Sequence, residues 1–338
     1  MNVPKESEEL SQEEIMEEVQ GVFKDRGGKA LELARRAVLE EEIRSREVRE
    51  ALDYFMTEYW KDLSRATLLS LCCEAVGGDP NATIPIAVPL SLIGGGIDIH
   101  DDIIDQSTIK EDRPTVYGKF GREIALLVGD ALLFKGFALL SHETNVRFSE
   151  SMSEIMGTVK STFFELGESE ALELGFKGRF DVTPTEYLSM VKMRAANVEA
   201  DARIGAIIGG GKKVEVETLG KYGRTLGSLL VIRDDFVDMF EKEELLHRLH
   251  CECLPLPLIY ALQNPRIKKE LVPMFERKVA FDLTTILETV LESREAENLR
   301  SSIANMIKRE EAFLASLKIT QSAHTKLQLL LLAAGKGL

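Results

Sequence analysis

Cysteine is scarce in this sequence: four residues in 338, placed as Cys72-Cys73 and Cys251-Glu-Cys253. Adjacent and alternate cysteines rarely build a disulfide framework, so reduced, buried thiols are expected rather than a disulfide-held scaffold. Positive charge is in deficit as well. Lys and Arg number 42 against 56 Asp and Glu, a net charge of −14. Nucleic acid and anionic membrane surfaces would be repelled, and neither is expected as a partner. Long apolar runs are missing; the longest, such as Leu329 to Ala334, is too short to span a bilayer. Met1 to Gln20 is rich in Glu and has no apolar core segment. No integral membrane segment and no amino-terminal signal are therefore expected, which points to the cytoplasm. Sustained period-two alternation and hairpin turns are absent too, which argues against a sheet-based fold. Gly209-Gly-Gly-Lys-Lys213 lacks the full phosphate-loop pattern and reads as a helix break. His247-Arg-Leu-His-Cys-Glu-Cys253 matches no standard zinc spacing and reads as a solvated or core helix.

Hydrophobic residues make up 44% of the chain and recur at helical spacing. The pattern predicts one all-α domain over residues 1–338, with 1–27 as an acidic N-terminal helix or extension. Helices are expected over 12–24 and 28–59, then over 63–76 up to the stop at Gly77-Gly-Asp-Pro80, and from Asn81 to about Gln106. Thr183-Pro-Thr-Glu186 reads as a helix start, with Thr183 as N-cap and Pro184 in the first turn, running on to about 209. The architecture this implies is a bundle of about ten or more helices around a central apolar cavity.

Against this background stand two acidic clusters of one spacing. Asp98-Ile-His-Asp-Asp-Ile-Ile-Asp105 contains Asp101, Asp102 and Asp105, and Arg233-Asp-Asp-Phe-Val-Asp238 contains Asp234, Asp235 and Asp238. On a helix the first and third Asp of each set share a face, with the middle one about 100° around. Three like charges among apolar neighbours repel one another and lose solvation, so they need a cation. Carboxylate oxygens are hard ligands that favour Mg²⁺, which is usually held by one or two carboxylates plus substrate phosphates. Two such clusters facing each other would grip a diphosphate.

With Glu74-Ala-Val-Gly-Gly-Asp79, Arg113-Pro-Thr-Val116, Lys119-Phe-Gly121, Gly129-Asp-Ala-Leu-Leu133, Tyr222-Gly-Arg-Thr-Leu-Gly227 and Leu256-Pro-Leu-Ile-Tyr-Ala261 in this order, the chain resembles the trans-isoprenyl diphosphate synthase (polyprenyl synthetase) family. The likeness runs from about Leu63 to Leu262. It implies a homodimeric prenyltransferase that condenses an allylic prenyl diphosphate with isopentenyl diphosphate, using three Mg²⁺ ions. By resemblance Asp101, Asp105 and Asp234 would be the main metal ligands, supported by Asp102, Asp235 and Asp238.

The likeness weakens where the family holds isopentenyl diphosphate. Arg65 matches a family arginine, but Asp62 stands at the expected lysine with Lys61 displaced by one, and Gly94 stands where the family has His or Gln. Lys110-Glu111 replaces an Arg pair, and Arg194-Ala195 falls where Lys-Thr is expected. Lysines that the family carries after the second cluster have no counterpart. Two accounts follow. In one, displaced cations substitute: Lys61, four residues before Arg65 and so on the same helix face, with Lys110, Arg113, Lys192, Arg194 and Arg233. In the other, the isopentenyl site is lost, and the protein is an isopentenyl-independent, terpene-synthase-like enzyme or a non-catalytic subunit of a heteromeric synthase. Gly96, five residues before the first Asp of its motif, falls at the family's chain-length floor, with Gly95 beside it. Glycine weakens a helix by about 1 kcal/mol relative to Ala, so a spatial reason is expected: an open floor that admits a long product, or close helix packing.

Overall fold

The structure is a computed structural model that describes residues 12–335 except 111 and 278; positions 1–11 of the expected N-terminal extension lie outside the described residues. Helices follow one another along the chain. The first half comprises α1 (Gln12–Leu39), α2 (Arg46–Tyr54), α3 (Ser64–Ala75), α4 (Ile84–Ile104), α5 (Val116–Phe120), α6 (Arg122–Arg147) and α7 (Met152–Phe176). Next come α8 (Pro184–Arg194), α9 (Ala196–Ile208), α10 (Lys213–Phe240), α11 (Lys242–Cys251) and α12 (Leu256–Ala261). The C-terminal helices are α13 (Pro265–Phe275), α14 (Leu283–Leu291), α15 (Arg294–Ser316) and α16 (Gln321–Gly335). Among the described residues the strands are β1 (Ile109–Lys110) and β2 (Arg113–Pro114), an antiparallel pair whose tight turn holds Asp112 at φ 58°. The chain is all-α, as its periodicity implies.

Thr183 accepts a hydrogen bond from the Glu186 N–H, and Glu186 answers on the Thr183 N–H, so α8 starts with the expected capping box and Pro184 in its first turn. Three helix boundaries differ from the expectation. The helix expected over 12–24 runs on through Gly27-Gly28 to Leu39, and the chain breaks near Ser45, which caps α2. The helix expected over 28–59 is thus two helices, the second ending in a π turn at Phe55–Tyr59. The segment expected over 183–209 breaks at Ala195 between α8 and α9.

The site rests on a few packed pairs. α4 lies along α6, α9 lies against both α10 and α3, and α1 covers α3 and α4. α4 and α6 are long and apolar enough to cross a membrane by length and composition, although no single unbroken apolar run in the sequence reaches that length. In α4 that apolar surface faces the core, with Ile86, Leu92 and Ile99 fully buried. α6 instead leaves Leu126, Leu127 and Phe134 exposed. Both acidic clusters lie at helix C-terminal ends: Asp101, Asp102 and Asp105 close α4, and Asp234, Asp235 and Asp238 close α10. There the unpaired carbonyls and the helix dipole already make the environment negative, which strengthens the demand for positive charge.

Candidate functional site

A cavity of about 850 Å³ lies between the two cluster-bearing ends. Asp101 and Asp105 line one side and Asp234, Asp235 and Asp238 another, with Lys61, Lys110, Arg113, Arg194 and Arg233 among them. Phe23, Tyr59, Trp60, Leu63, Val231 and Val237 add apolar wall, and Tyr187, Arg248, Glu244 and Glu252 also line it, so the cavity is part charged and part apolar.

On the first side Asp101, Asp105 and Glu170 of α7 each offer a carboxylate oxygen, all within 4.8 Å of one another. Glu170 Oε1 is buried with no hydrogen-bond partner. Burial first, then the neighbouring carboxylates, Asp101 foremost, push Asp105 and Glu170 well above the usual carboxylate range. An all-oxygen, partly buried set that resists its own ionisation and keeps an orphan acceptor fits a hard divalent cation such as Mg²⁺. Glu170 was not singled out from the sequence. Its helix buries Ser169, Glu173 and Phe176, and that spacing was the available signal that carboxylates face inward there.

Two cations flank this group. The β1–β2 turn brings Lys110 Nζ within 2.7 Å of Asp102 Oδ1 and 3.7 Å of Asp101 Oδ2. Burial opposes charge on Lys110, but Asp101 and Asp102 outweigh it and hold its pKa above the ordinary lysine range. Arg194, at the end of α8, bonds Glu173 and lies 3.3 Å from Asp101 Oδ1.

The second side is organised differently. Asp235 is fully buried; both its oxygens accept from the Tyr187 hydroxyl, at 2.9 and 2.8 Å, and Oδ2 also accepts from the Leu256 N–H at 3.2 Å. Arg248 of α11 reaches Asp235 at 2.7 Å and Asp238 at 3.3 Å. Burial raises Asp235 to about 6 and Asp238 to about 7, with Arg248 opposing both shifts. Asp234 carries its carboxylate 65% exposed, 3.6 Å from Arg233 Nη2.

Several expected residues take other places. Asp102 is buried beneath Lys110 and does not line the cavity, and Lys192 is exposed on α8 outside it. Lys61 does line the cavity, but not on a helix face shared with Arg65. Residues 60–63 are non-helical: the chain leaves the π turn in an extended conformation at Trp60, and Asp62 accepts from the Ser64 N–H at 2.7 Å where α3 starts. Arg65 is turned away from the cavity wall, 3.6 Å from Asp62 and 3.6 Å from the buried Asp201.

None of the three glycines lines the cavity, and close neighbours fill the room beside them. The guanidinium of Arg65 lies over Gly94. A Cβ on Gly95 would sit 2.9 Å from the Phe55 ring, and one on Gly96 would sit 2.8 Å from the Gly129 carbonyl oxygen. Close packing is thus one spatial reason for glycine at these positions.

The sequence model of the family described as polyprenyl synthetase matches residues 45–290. A geranylgeranyl diphosphate synthase of Methanosarcina mazei is 32% identical over 254 residues, covering 75% of each protein. A short chain isoprenyl diphosphate synthase of Methanothermobacter thermautotrophicus is 38% identical over 181 residues, 53% of this chain and 55% of that protein. The chain thus spans about half the length of that second relative. Among solved structures, a geranylgeranyl pyrophosphate synthetase from Pyrococcus horikoshii has the same fold, with a TM-score of 0.83 over 96% of this chain and 99% of the other at 23% identity.

Proposed function

Because the chain belongs to the polyprenyl synthetase family, we propose that it is a prenyltransferase joining an allylic prenyl diphosphate to isopentenyl diphosphate to give a longer trans-prenyl diphosphate. The observation that carries this reading is the cavity into which both acidic clusters open, ringed by Lys61, Lys110, Arg113, Arg194 and Arg233. Asp101, Asp105 and Glu170 on one side and Asp234 on the other would hold Mg²⁺; three ions are what the resemblance implies. Bound Mg²⁺ supplies positive charge to the leaving diphosphate.

The chain's own residues do the rest. Lys110 and Arg194, beside Asp101, orient the allylic diphosphate and add charge-assisted hydrogen bonds to its oxygens. Lys61, Arg113 and Arg233, which line the same cavity, would receive the second diphosphate. As the allylic C–O bond breaks, the isopentenyl double bond attacks the carbon that loses it. The new C–C bond forms, and a proton leaves to the departed diphosphate. Phe23, Leu63, Val231 and Val237 keep water from the cationic carbon.

The expected homodimer is supported by the adjacent helices α6 and α7, whose Phe137 and Phe163 rings lie 5.2 Å apart. They expose Phe134 at 77% and Phe164 at 69%, apolar side chains that a second copy would cover. The cytoplasm remains the expected location.

One observation favours a second reading. Arg65, the residue matching the family's arginine for isopentenyl diphosphate, is engaged by Asp62 and Asp201. An isopentenyl-independent enzyme would have no need to free it. The test is to incubate the purified protein with farnesyl diphosphate and Mg²⁺, with and without labelled isopentenyl diphosphate. Labelled longer diphosphates support the prenyltransferase; unlabelled hydrocarbons or alcohols support the second reading. Silence in both, rescued by a partner subunit, would make the chain a non-catalytic subunit.

A further inference from the structure

The segment after the second acidic cluster lacks the family's lysines, yet it contributes a cation to that cluster by another route. α11 turns Leu245 and Leu249 into the core and Arg248 with them, leaving the Arg248 side chain 9% exposed. Its guanidinium is bonded on every side. Nε donates to the Cys253 carbonyl oxygen at 3.0 Å, and Nη2 donates to Asp235 Oδ1 at 2.7 Å and to the Tyr187 oxygen at 3.2 Å. Nη1 reaches Asp238 Oδ2 at 3.3 Å and Glu252 Oε2 at 3.4 Å. The same helix touches the loop behind the first cluster, where His247 Nε2 lies 3.2 Å from Glu252 Oε1 and 3.3 Å from Ser107 Oγ.

We propose that Arg248 is a resident counter-cation of the second acidic cluster. It takes the place of a divalent ion at Asp235 and Asp238, and leaves the first cluster as the site that takes a divalent cation before substrate arrives. The proposal deepens the diphosphate reading and rests on it. Asp235 is committed to Arg248, Tyr187 and the Leu256 N–H, and Asp238 shares the same guanidinium. A planar, always-charged group held by five partners is a fixed part of the fold, unlike a flexible surface lysine. Arg248 therefore acts as a positioning residue: from its place on the cavity wall it sets the charge and the orientation of the second cluster.

The test is Mn²⁺ binding to the intact chain without substrate, counted by the paramagnetic signal of the free ion. The wild-type protein is expected to take up one Mn²⁺ per chain, lost in Asp105→Asn and kept in Asp238→Asn. Arg248→Gln should take up a second Mn²⁺, lost again when Asp238→Asn is added, and Arg248→Lys should keep the wild-type count. Excess Mn²⁺ should also raise the melting temperature of Arg248→Gln more than that of the wild type. A wild-type count lowered by Asp238→Asn, or a folded Arg248→Gln protein with an unchanged count, overturns the proposal. If Arg248→Gln does not fold at any Mn²⁺ concentration, the Asp105 and Asp238 variants decide the matter alone. A wild-type protein that binds no Mn²⁺ overturns the metal reading of the first cluster, and that result is distinct from all of these.

Discussion

Replacing Gly96 by Ala separates packing from product length at the end of α4. A Cβ at this position would stand 2.8 Å from the Gly129 carbonyl oxygen and 2.8 Å from Leu133 Cγ. Ordinary non-bonded contacts run about 3.5–4.0 Å. Leu133 can change rotamer, but the Gly129 carbonyl belongs to the backbone of α6 and cannot move without shifting the helix. Overpacking of this kind costs about 1–3 kcal/mol. Alanine returns about 1 kcal/mol of helix propensity, so the net loss should be about 0–2 kcal/mol. For a long chain, where each kcal/mol moves the melting temperature by about 2 °C, that is a fall of up to roughly 4 °C. Gly21 in α1 is the control: nothing lies within 4 Å of its added Cβ, and Gly21→Ala should stabilise by about 0.5–1 kcal/mol. Thermal unfolding of the two variants beside the wild type reads the difference, and chromatography of the prenyl diphosphates reads product length. If Gly96→Ala is as stable as Gly21→Ala, or shortens the product without losing stability, the packing account fails and Gly96 is a chain-length floor after all.

Three other outcomes are expected. Asp101→Ala and Asp234→Ala should each lower turnover by orders of magnitude with the fold intact by circular dichroism; near-normal rates in either would remove that cluster from the chemistry. Asp201 is buried and its pKa is raised to about 7, by burial first, with Arg65 only partly opposing. Its folded-state pKa exceeds its unfolded value, so its contribution to stability is fully present below about 3.9 and is lost as pH rises through about 7. Asp201→Asn should flatten that part of the stability-versus-pH curve measured by urea unfolding, and an unchanged slope would show that Asp201 is already ionised in the fold. Phe134→Glu with Phe164→Glu should shift the sedimenting species from dimer to monomer, and an unchanged mass would place any dimer contact elsewhere.

The acidic clusters and the all-α class were legible because both follow from periodicity: the four-residue step places Asp101 with Asp105, and apolar spacing marks the helices. What covers a helix face was not legible, because that is set by residues far away in the chain. Lys61 was placed on one helix face with Arg65, but the chain is extended from Trp60 and α3 starts only at Ser64, which breaks that pairing. The three glycines of α4 signalled a spatial need, but the close approach of Arg65, Phe55 and Gly129 to them is set by distant parts of the chain. Arg248 illustrates the same limit most sharply. In the sequence it was one basic residue in a stretch defined by the lysines it lacks, although its spacing from Leu245 already placed it on the buried face of α11. A buried arginine must find carboxylates, because an unpaired buried charge costs several kcal/mol, and the carboxylates in reach were those of the second cluster. Spacing therefore identifies an acidic cluster that needs positive charge, whereas the fold decides whether an ion or a side chain supplies it.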